Sequence, residues 1–233
     1  TSRVALVGGG SGLARPGAVS LAHRGVLFLD EAAEFESRSL DALRQPLEQG
    51  EVVLHRALGS ATYPARFQLV LATNPCPCGR WSGRGDDCTC TALARRRYLG
   101  RLSGPLLDRV DLQIEVLAVS RADLLAVGPA EPSCVVRGRV EAAREAQLER
   151  LALTPWRCNG EVPGAWLRGA LRLPTTHTRG LDRLLDRGEF TLRGYDRVLR
   201  VAWTMADLAG RDAPSAGDVD EAISMRRHAR VAA

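Results

Sequence analysis

Two short apolar runs, Gly25-Val26-Leu27-Phe28-Leu29 and Phe67-Gln68-Leu69-Val70-Leu71-Ala72, constrain this chain more than any other feature. Each has the length of a strand, ends in polar residues and is largely apolar throughout, which is expected of buried strands in one parallel sheet. Between them, residues 37–48 carry Leu40, Leu43 and Leu47 at helical spacing and stop at Gly50. Residues 51–65 read as a hairpin, with Val52-Val53-Leu54 and Thr62-Tyr63 flanking a turn near Leu58-Gly59-Ser60. Residues 111–116 alternate with period two and make a third strand candidate. The first half is therefore expected to be α/β.

The second half reads as helices. Val136, Val140, Ala143, Gln147 and Leu151 trace one face of a helix whose other face is rich in Arg and Glu. A second helix starts at Thr191 as N-cap and runs through Leu192, Tyr195, Val198, Leu199, Ala202 and Ala206 to Gly210. A last one begins near Asp218, with Val219, Ala222 and Ile223 inward. The boundary falls within 117–135, where Gly128, Pro129, Pro132 and Ser133 suit a connecting loop, giving segments 1–118 and 119–233.

Composition excludes several classes. With 233 residues, 45% hydrophobic and 25% charged, the chain can bury a core and is not disordered. No apolar run approaches the roughly 20 residues that cross a bilayer, so no membrane partner is expected. All 32 basic residues are arginine. Without lysine there is no Schiff base, no Ser-Lys pair and no GxxxxGK[ST] phosphate loop. Gly8-Gly9-Gly10-Ser11-Gly12 imitates such a loop but lacks the lysine and is expected to mark a flexible insert. The net charge of +5 is compatible with a nucleic-acid partner, while 5% aromatics argue against a base-stacking platform. No targeting segment is apparent, so a cytoplasmic location is expected.

Chemistry is concentrated at three places. The run at 26–29 delivers Asp30 and Glu31 at its C-terminal end, the edge where open α/β sheets bind ligands. In a nucleoside triphosphatase the first acid holds Mg2+, usually through water, and the second acts as base on the attacking water; the alternative is a strand that ends in solvated acids. Asn74 follows the second run and can orient such a water as both donor and acceptor, or serve only as a turn former before Pro75. Cys76-Pro-Cys78-Gly79 and Cys88-Thr-Cys90 are two Cys-x-Cys knuckles nine residues apart. Four thiolates so close suit a tetrahedral structural Zn2+ that staples a loop too short to own a core, against four free thiols or a redox pair of disulfides. Arg95-Arg96-Arg97 with Arg101 could hold phosphate or form a solvated helix face, and the four histidines show no spacing of a triad or metal site.

At this point the chain resembles the magnesium-chelatase-like AAA+ ATPases, and within them the competence protein ComM (YifB) family. The likeness is carried by Ser20-Leu21-Ala22-His23-Arg24-Gly25 leading into 26–31, by Leu43-Arg44-Gln45-Pro46-Leu47-Glu48, Tyr63-Pro64-Ala65-Arg66-Phe67, Asn74-Pro75-Cys76-Pro77-Cys78-Gly79, Ser103-Gly104-Pro105-Leu106-Leu107-Asp108-Arg109-Val110-Asp111 and Ala202-Trp203-Thr204-Met205-Ala206-Asp207-Leu208-Ala209-Gly210. It implies a partial AAA+ P-loop NTPase core with a pre-sensor-1 hairpin and a Cys-rich loop at 75–91, followed by an all-helical lid. Asp30 and Glu31 match the Walker B pair and Asn74 the sensor-1 position. Arg109 matches the arginine finger that reaches a neighbouring subunit's nucleotide. Arg193 matches the sensor-2 arginine, with Arg197 one turn on as the fallback. Asp30, Asn74 and Arg193 would then bind ATP with Mg2+, and Arg109 in trans implies a homo-hexameric ring. His55 and Arg56, near the hairpin tip, are candidates to hold a DNA phosphate in the pore.

The family's Walker A loop lies upstream of Walker B, and this sequence begins after it. The chain by itself is therefore expected not to hydrolyse ATP. Three readings follow: the C-terminal part of a ComM-like motor for DNA branch migration, a chelatase motor subunit driving magnesium into a porphyrin, or a non-catalytic zinc-stapled binding module.

Overall fold

The computed structural model describes residues 2–10, 14–56, 59–81, 87–117, 119, 121, 125, 128 and 130–227. The chain packs as two compact units that divide between Val110 and Asp111.

The first unit is mixed α/β. Helix α1 (Arg3–Val7) is capped by the Ser2 hydroxyl, which accepts from the Ala5 amide at 3.3 Å. Strands β1 (Gly8–Gly9) and β2 (Arg15–Pro16) then pair antiparallel. The glycines at 8 and 9 are thus a buried part of the fold, contrary to the flexible insert expected there; residues 11–13 lie outside the described residues. The reason is close backbone approach. A Cβ on Gly17 would lie 2.3 Å from the Gly8 nitrogen and 2.4 Å from the Leu6 carbonyl oxygen.

After α2 (Ala18–Leu21) comes β3 (Val26–Leu29), and the crossover to its parallel partner contains α3 (Ser37–Asp41), α4 (Arg44–Gln49), β4 (Glu51–Arg56) and β5 (Gly59–Pro64). The single helix expected over 37–48 is split at 42–43. Pro46 lacks the N–H that would bond the Ala42 carbonyl, and proline is tolerated only in the first turn of a new helix. Gly50 ends α4 at φ +71° with its amide on the Pro46 carbonyl at 2.8 Å, as the sequence implied. The hairpin runs in register from Glu51↔Pro64 to Arg56↔Gly59.

Strand β6 (Gln68–Leu71) pairs with β3 in parallel, Val26↔Gln68 through Leu29↔Leu71, as the two apolar runs implied. Burial differs from expectation. Leu27 and Leu29 enter a core with Leu6, Val19, Leu40, Leu43 and Leu106, whereas Val26 and Phe28 are 62% and 57% exposed. Only one face of the strand pair is covered by described residues. Helices α5 (Ala92–Leu99) and α6 (Gly104–Leu107) complete the unit, capped by the hydroxyls of Thr91 and Ser103.

In the second unit, residues 112–117 are extended without strand pairing; the Gln113 amide bonds the Met225 carbonyl at 2.7 Å, and Ile114 and Val116 are exposed. The expected third strand is absent because no strand of this unit's described residues offers a ladder. Helix α7 (Ser133–Arg150) buries Ala143 and Gln147 but leaves Val136 and Val140 exposed, so its expected inward face is inward only near the C-terminal end. Helices α8 (Gly164–Leu167), α9 (Thr175–Asp186), α10 (Leu192–Leu208) and α11 (Ala216–Arg227) follow. Thr191 caps α10 by accepting from the Gly194 amide at 3.1 Å. Leu181, Val198, Leu199, Ala202, Val219, Ala222 and Ile223 form the core. Among the described residues no helix is long and apolar enough to cross a membrane.

Candidate active site and metal centre

The parallel register of β3 and β6 brings their C-terminal ends to one edge, and the ladder continues one step beyond them. The Ala72 amide bonds the Leu29 carbonyl at 3.0 Å and the Ala32 amide bonds the Ala72 carbonyl at 2.8 Å. Asp30 and Glu31 lie between those bonds, and Asn74 follows two residues after Ala72, so all three stand at this edge and all are exposed. Asp30 Oδ1 accepts from the Glu31 amide at 2.8 Å, and neither carboxylate is ion-paired among the described residues. Their free oxygen lone pairs fit a hydrated Mg2+, which takes one or two protein carboxylates and keeps several waters. Glu31 is left-handed at φ +49°, ψ +43°, a conformation that costs a non-glycine residue about 1–2 kcal/mol. Strain of this kind marks candidate functional positions.

Two residues beside this edge, Tyr98 and Arg101, carry no signal of a site in the sequence. Tyr98 is 4% exposed on α5, and burial pushes its hydroxyl above the usual range, Thr73 opposing and the charges of Glu34 and Glu31 adding. Arg101 donates to the Ala33 carbonyl at 2.8 Å and pairs with Glu34 at 3.2 Å. The sequence showed these only as part of an arginine-rich stretch. An arginine that bonds a main-chain carbonyl of its own fold cannot be told from a solvated one by composition.

The side chain of Arg109 is 7% exposed, with one guanidinium nitrogen on Glu48 Oε1 at 2.5 Å and the other donating to the Pro105 carbonyl. It lines a cavity of about 400 Å³ together with Arg3, Asp41, Arg44, Glu48 and Gln49. Arg193 is exposed in the first turn of α10, and Arg197 pairs with Asp111. His55 is exposed opposite Ser60 near the hairpin tip; Arg56 closes β4, and its side chain lies outside the described residues.

The four clustered cysteines converge. The sulfur atoms of Cys76, Cys78, Cys88 and Cys90 all lie within 4.8 Å of one another, with Cys76–Cys78 at 3.4 Å, Cys78–Cys88 at 3.6 Å and Cys76–Cys88 at 3.7 Å. A tetrahedron with Zn–S bonds of 2.3 Å has an edge of about 3.8 Å, so the set fits zinc. Disulfides need about 2.05 Å. The first knuckle is closed by the Gly79 amide on the Cys76 carbonyl at 3.0 Å, with Gly79 at φ +74°. The Cys78 thiol is pulled down to about 6, first by a backbone N–H of Arg80 and then by Cys76, which favours the thiolate that binds metal. Cys134 and Cys158 are free and lie in the second unit.

The family model for magnesium chelatase, subunit ChlI, matches residues 1–124, and that for the ChlI C-terminal region matches 130–226. The chain is 53% identical to an uncharacterized protein of Mycobacterium tuberculosis over 97% of its own length and 44% of that protein's. It is 43% identical to the uncharacterized protein YifB of Escherichia coli, covering 97% and 43% respectively. Against the competence protein ComM of Haemophilus influenzae it is 41% identical, covering 99% and 44%. The chain thus spans less than half the length of these curated relatives.

Proposed function

The chain belongs to the magnesium chelatase subunit ChlI family, and on that premise we propose that it is the C-terminal part of an AAA+ ATPase motor that moves on DNA. The observation that carries this reading is the parallel register that gathers Asp30, Glu31 and Asn74 at one sheet edge. In the reaction Asp30 holds the hydrated Mg2+ of MgATP, Glu31 takes the proton of the attacking water, and Asn74 orients that water between base and terminal phosphate. Arg193, carried by the helical lid, contacts the phosphates. Arg109 acts in trans within a homo-hexameric ring, and its bond to Glu48 is exchanged for the neighbouring subunit's phosphate charge on assembly. His55 and Arg56 at the hairpin tip meet DNA phosphates, which makes binding weaken steeply with salt. The four cysteines hold a structural Zn2+ that closes the loop between β6 and α5. The DNA substrate is taken from the likeness to the competence protein relative.

ATP turnover by this 233-residue chain tests the reading. Because no lysine is available to cradle the β- and γ-phosphates, turnover is expected at the level of a blank. A rate that Glu31→Gln abolishes would overturn the expectation that the chain alone is inactive. Titration with branched DNA at rising salt tests the substrate. No affinity for DNA, together with stimulation of a porphyrin-binding partner, would move the assignment to a chelatase motor, the reading favoured by the family model's own description.

A further inference from the structure

Resting on the reading of Glu31 as base and of the four cysteines as a zinc site, we propose that the zinc-stapled loop positions the catalytic turn, acting through Tyr98 near the end of α5 and Arg101 just past it. The connection is continuous in the first unit. Cys90 is followed directly by Thr91, whose hydroxyl caps α5 by accepting from the Ala94 amide at 3.2 Å. Arg95 ties the same end down, donating to the Cys90 carbonyl at 2.7 Å and stacking on the Trp81 ring at 3.8 Å. A helix of eight residues is about 12 Å long. At its far end Tyr98 is buried, and Arg101, just past it, grips the 3-10 turn Ala32–Glu34 by a main-chain carbonyl and a carboxylate.

That turn is the segment that needs holding. It begins immediately after Glu31, whose left-handed backbone persists only where its surroundings over-determine it. The sheet holds one side through the Ala32 amide on Ala72, and the turn closes on itself through the Glu34 amide on the Glu31 carbonyl at 2.7 Å. Arg101 supplies the restraint from α5. Two of the four arginines at 95–101 are therefore tied to main-chain carbonyls of the fold, Arg95 to Cys90 and Arg101 to Ala33, one at each end of the connection, and a phosphate-binding surface would not use them so. The order is metal, cap, helix, turn, base. Losing the metal frees the N-terminal end of α5, and the loss reaches Glu31 as a loosened turn while the side chain of Glu31 keeps its chemistry.

Hydrogen exchange read by mass spectrometry on the whole chain tests this, with zinc content measured in parallel. With one zinc bound per chain, chelation is expected to speed exchange in the peptide covering 31–35 about tenfold, the loss of roughly one net hydrogen bond of local stability. The hairpin at 51–64 and helix α10 are expected to stay protected. Arg101→Ala should give the same local acceleration with zinc still bound, and chelation should then add nothing; Tyr98→Phe, which keeps the packed ring, should give a smaller one. If zinc is bound and chelation leaves 31–35 unchanged, the coupling is wrong and the zinc reading stands. If the hairpin loosens equally, the loop is merely part of the fold and the positioning role is refuted. If no zinc binds, or Cys88→Ser and Cys134→Ser lower zinc content alike, the metal reading fails and the proposal with it.

Discussion

The sheet edge of the first unit and the helix network of the second handle charge in opposite ways. At the sheet edge of the first, Asp30, Glu31 and Asn74 are exposed and the carboxylates carry no ion pair among the described residues. In the second, Arg150 grips a fully buried Asp207 with two nitrogens at 2.5 and 2.8 Å, donates to Asn159 at 2.8 Å and lies 4.5 Å over the Trp203 ring. Asn159 then donates to Asp207 and Thr204, and its amide bonds Gln147. This network ties α7 to α10 by side chains that bond one another. A charge that satisfies another is spent on the fold, while one left in water at a strand end remains available to a ligand.

Asp207→Ala breaks the comparison most sharply. It leaves the Arg150 guanidinium and the Asn159 amide without their shared acceptor, and removing one partner of a buried pair typically costs about 3–5 kcal/mol. Chemical denaturation followed by tryptophan emission should show that loss. A change below about 1 kcal/mol would mean that water enters the network and that the two units differ less than their geometry implies.

What the sequence made legible was local. The two apolar runs, the hairpin, the Thr191 cap and the four cysteines each have a signal within a few residues, and each is present. What it hid depends on partners far along the chain. Phe28 reads as core yet is exposed, because burial needs a covering layer that periodicity does not report. Arg109 reads as a projecting finger, yet it lies on Glu48, sixty-one positions away. The split at 42–43 has its signal in Pro46, but in the sequence the leucine spacing outweighs a single missing N–H.

A smaller effect sharpens the comparison within the second unit. Ser215 and Asp218 form a capping box at the start of α11: the Ser215 amide donates to Asp218 at 2.7 Å and the Asp218 amide to the Ser215 hydroxyl at 3.3 Å. The Arg211 guanidinium, and after it the Ser215 bonds, hold the Asp218 carboxyl well below the usual carboxylate range. A depressed folded value means that the unfolded chain binds the proton first. The contribution is therefore complete above the ordinary value of about 4 and is lost as pH falls below it towards the folded value. Denaturation of Asp218→Asn beside the unmodified chain should show a gap of about 1–2 kcal/mol at pH 6 that narrows below pH 4. A gap independent of pH would assign the effect to the cap alone.

The smallest effect separates the edge from the network by its sign. Replacing a charged group in the second unit's network should always destabilise, whereas Glu31 is exposed, without an ion pair and in a left-handed conformation that glycine adopts freely. Glu31→Gly removes a strain of about 1–2 kcal/mol and adds chain entropy to the unfolded state worth about 1 kcal/mol, so a net change between zero and a gain of about 1 kcal/mol is expected. Glu31→Gln keeps the strain and should be neutral within about 0.5 kcal/mol. If Glu31→Gln destabilises by as much as a buried pair, the carboxylate is structural after all and the first unit joins the second. If glycine stabilises and glutamine is silent, the fold is bearing a cost at position 31 that only the chemistry of a carboxylate explains.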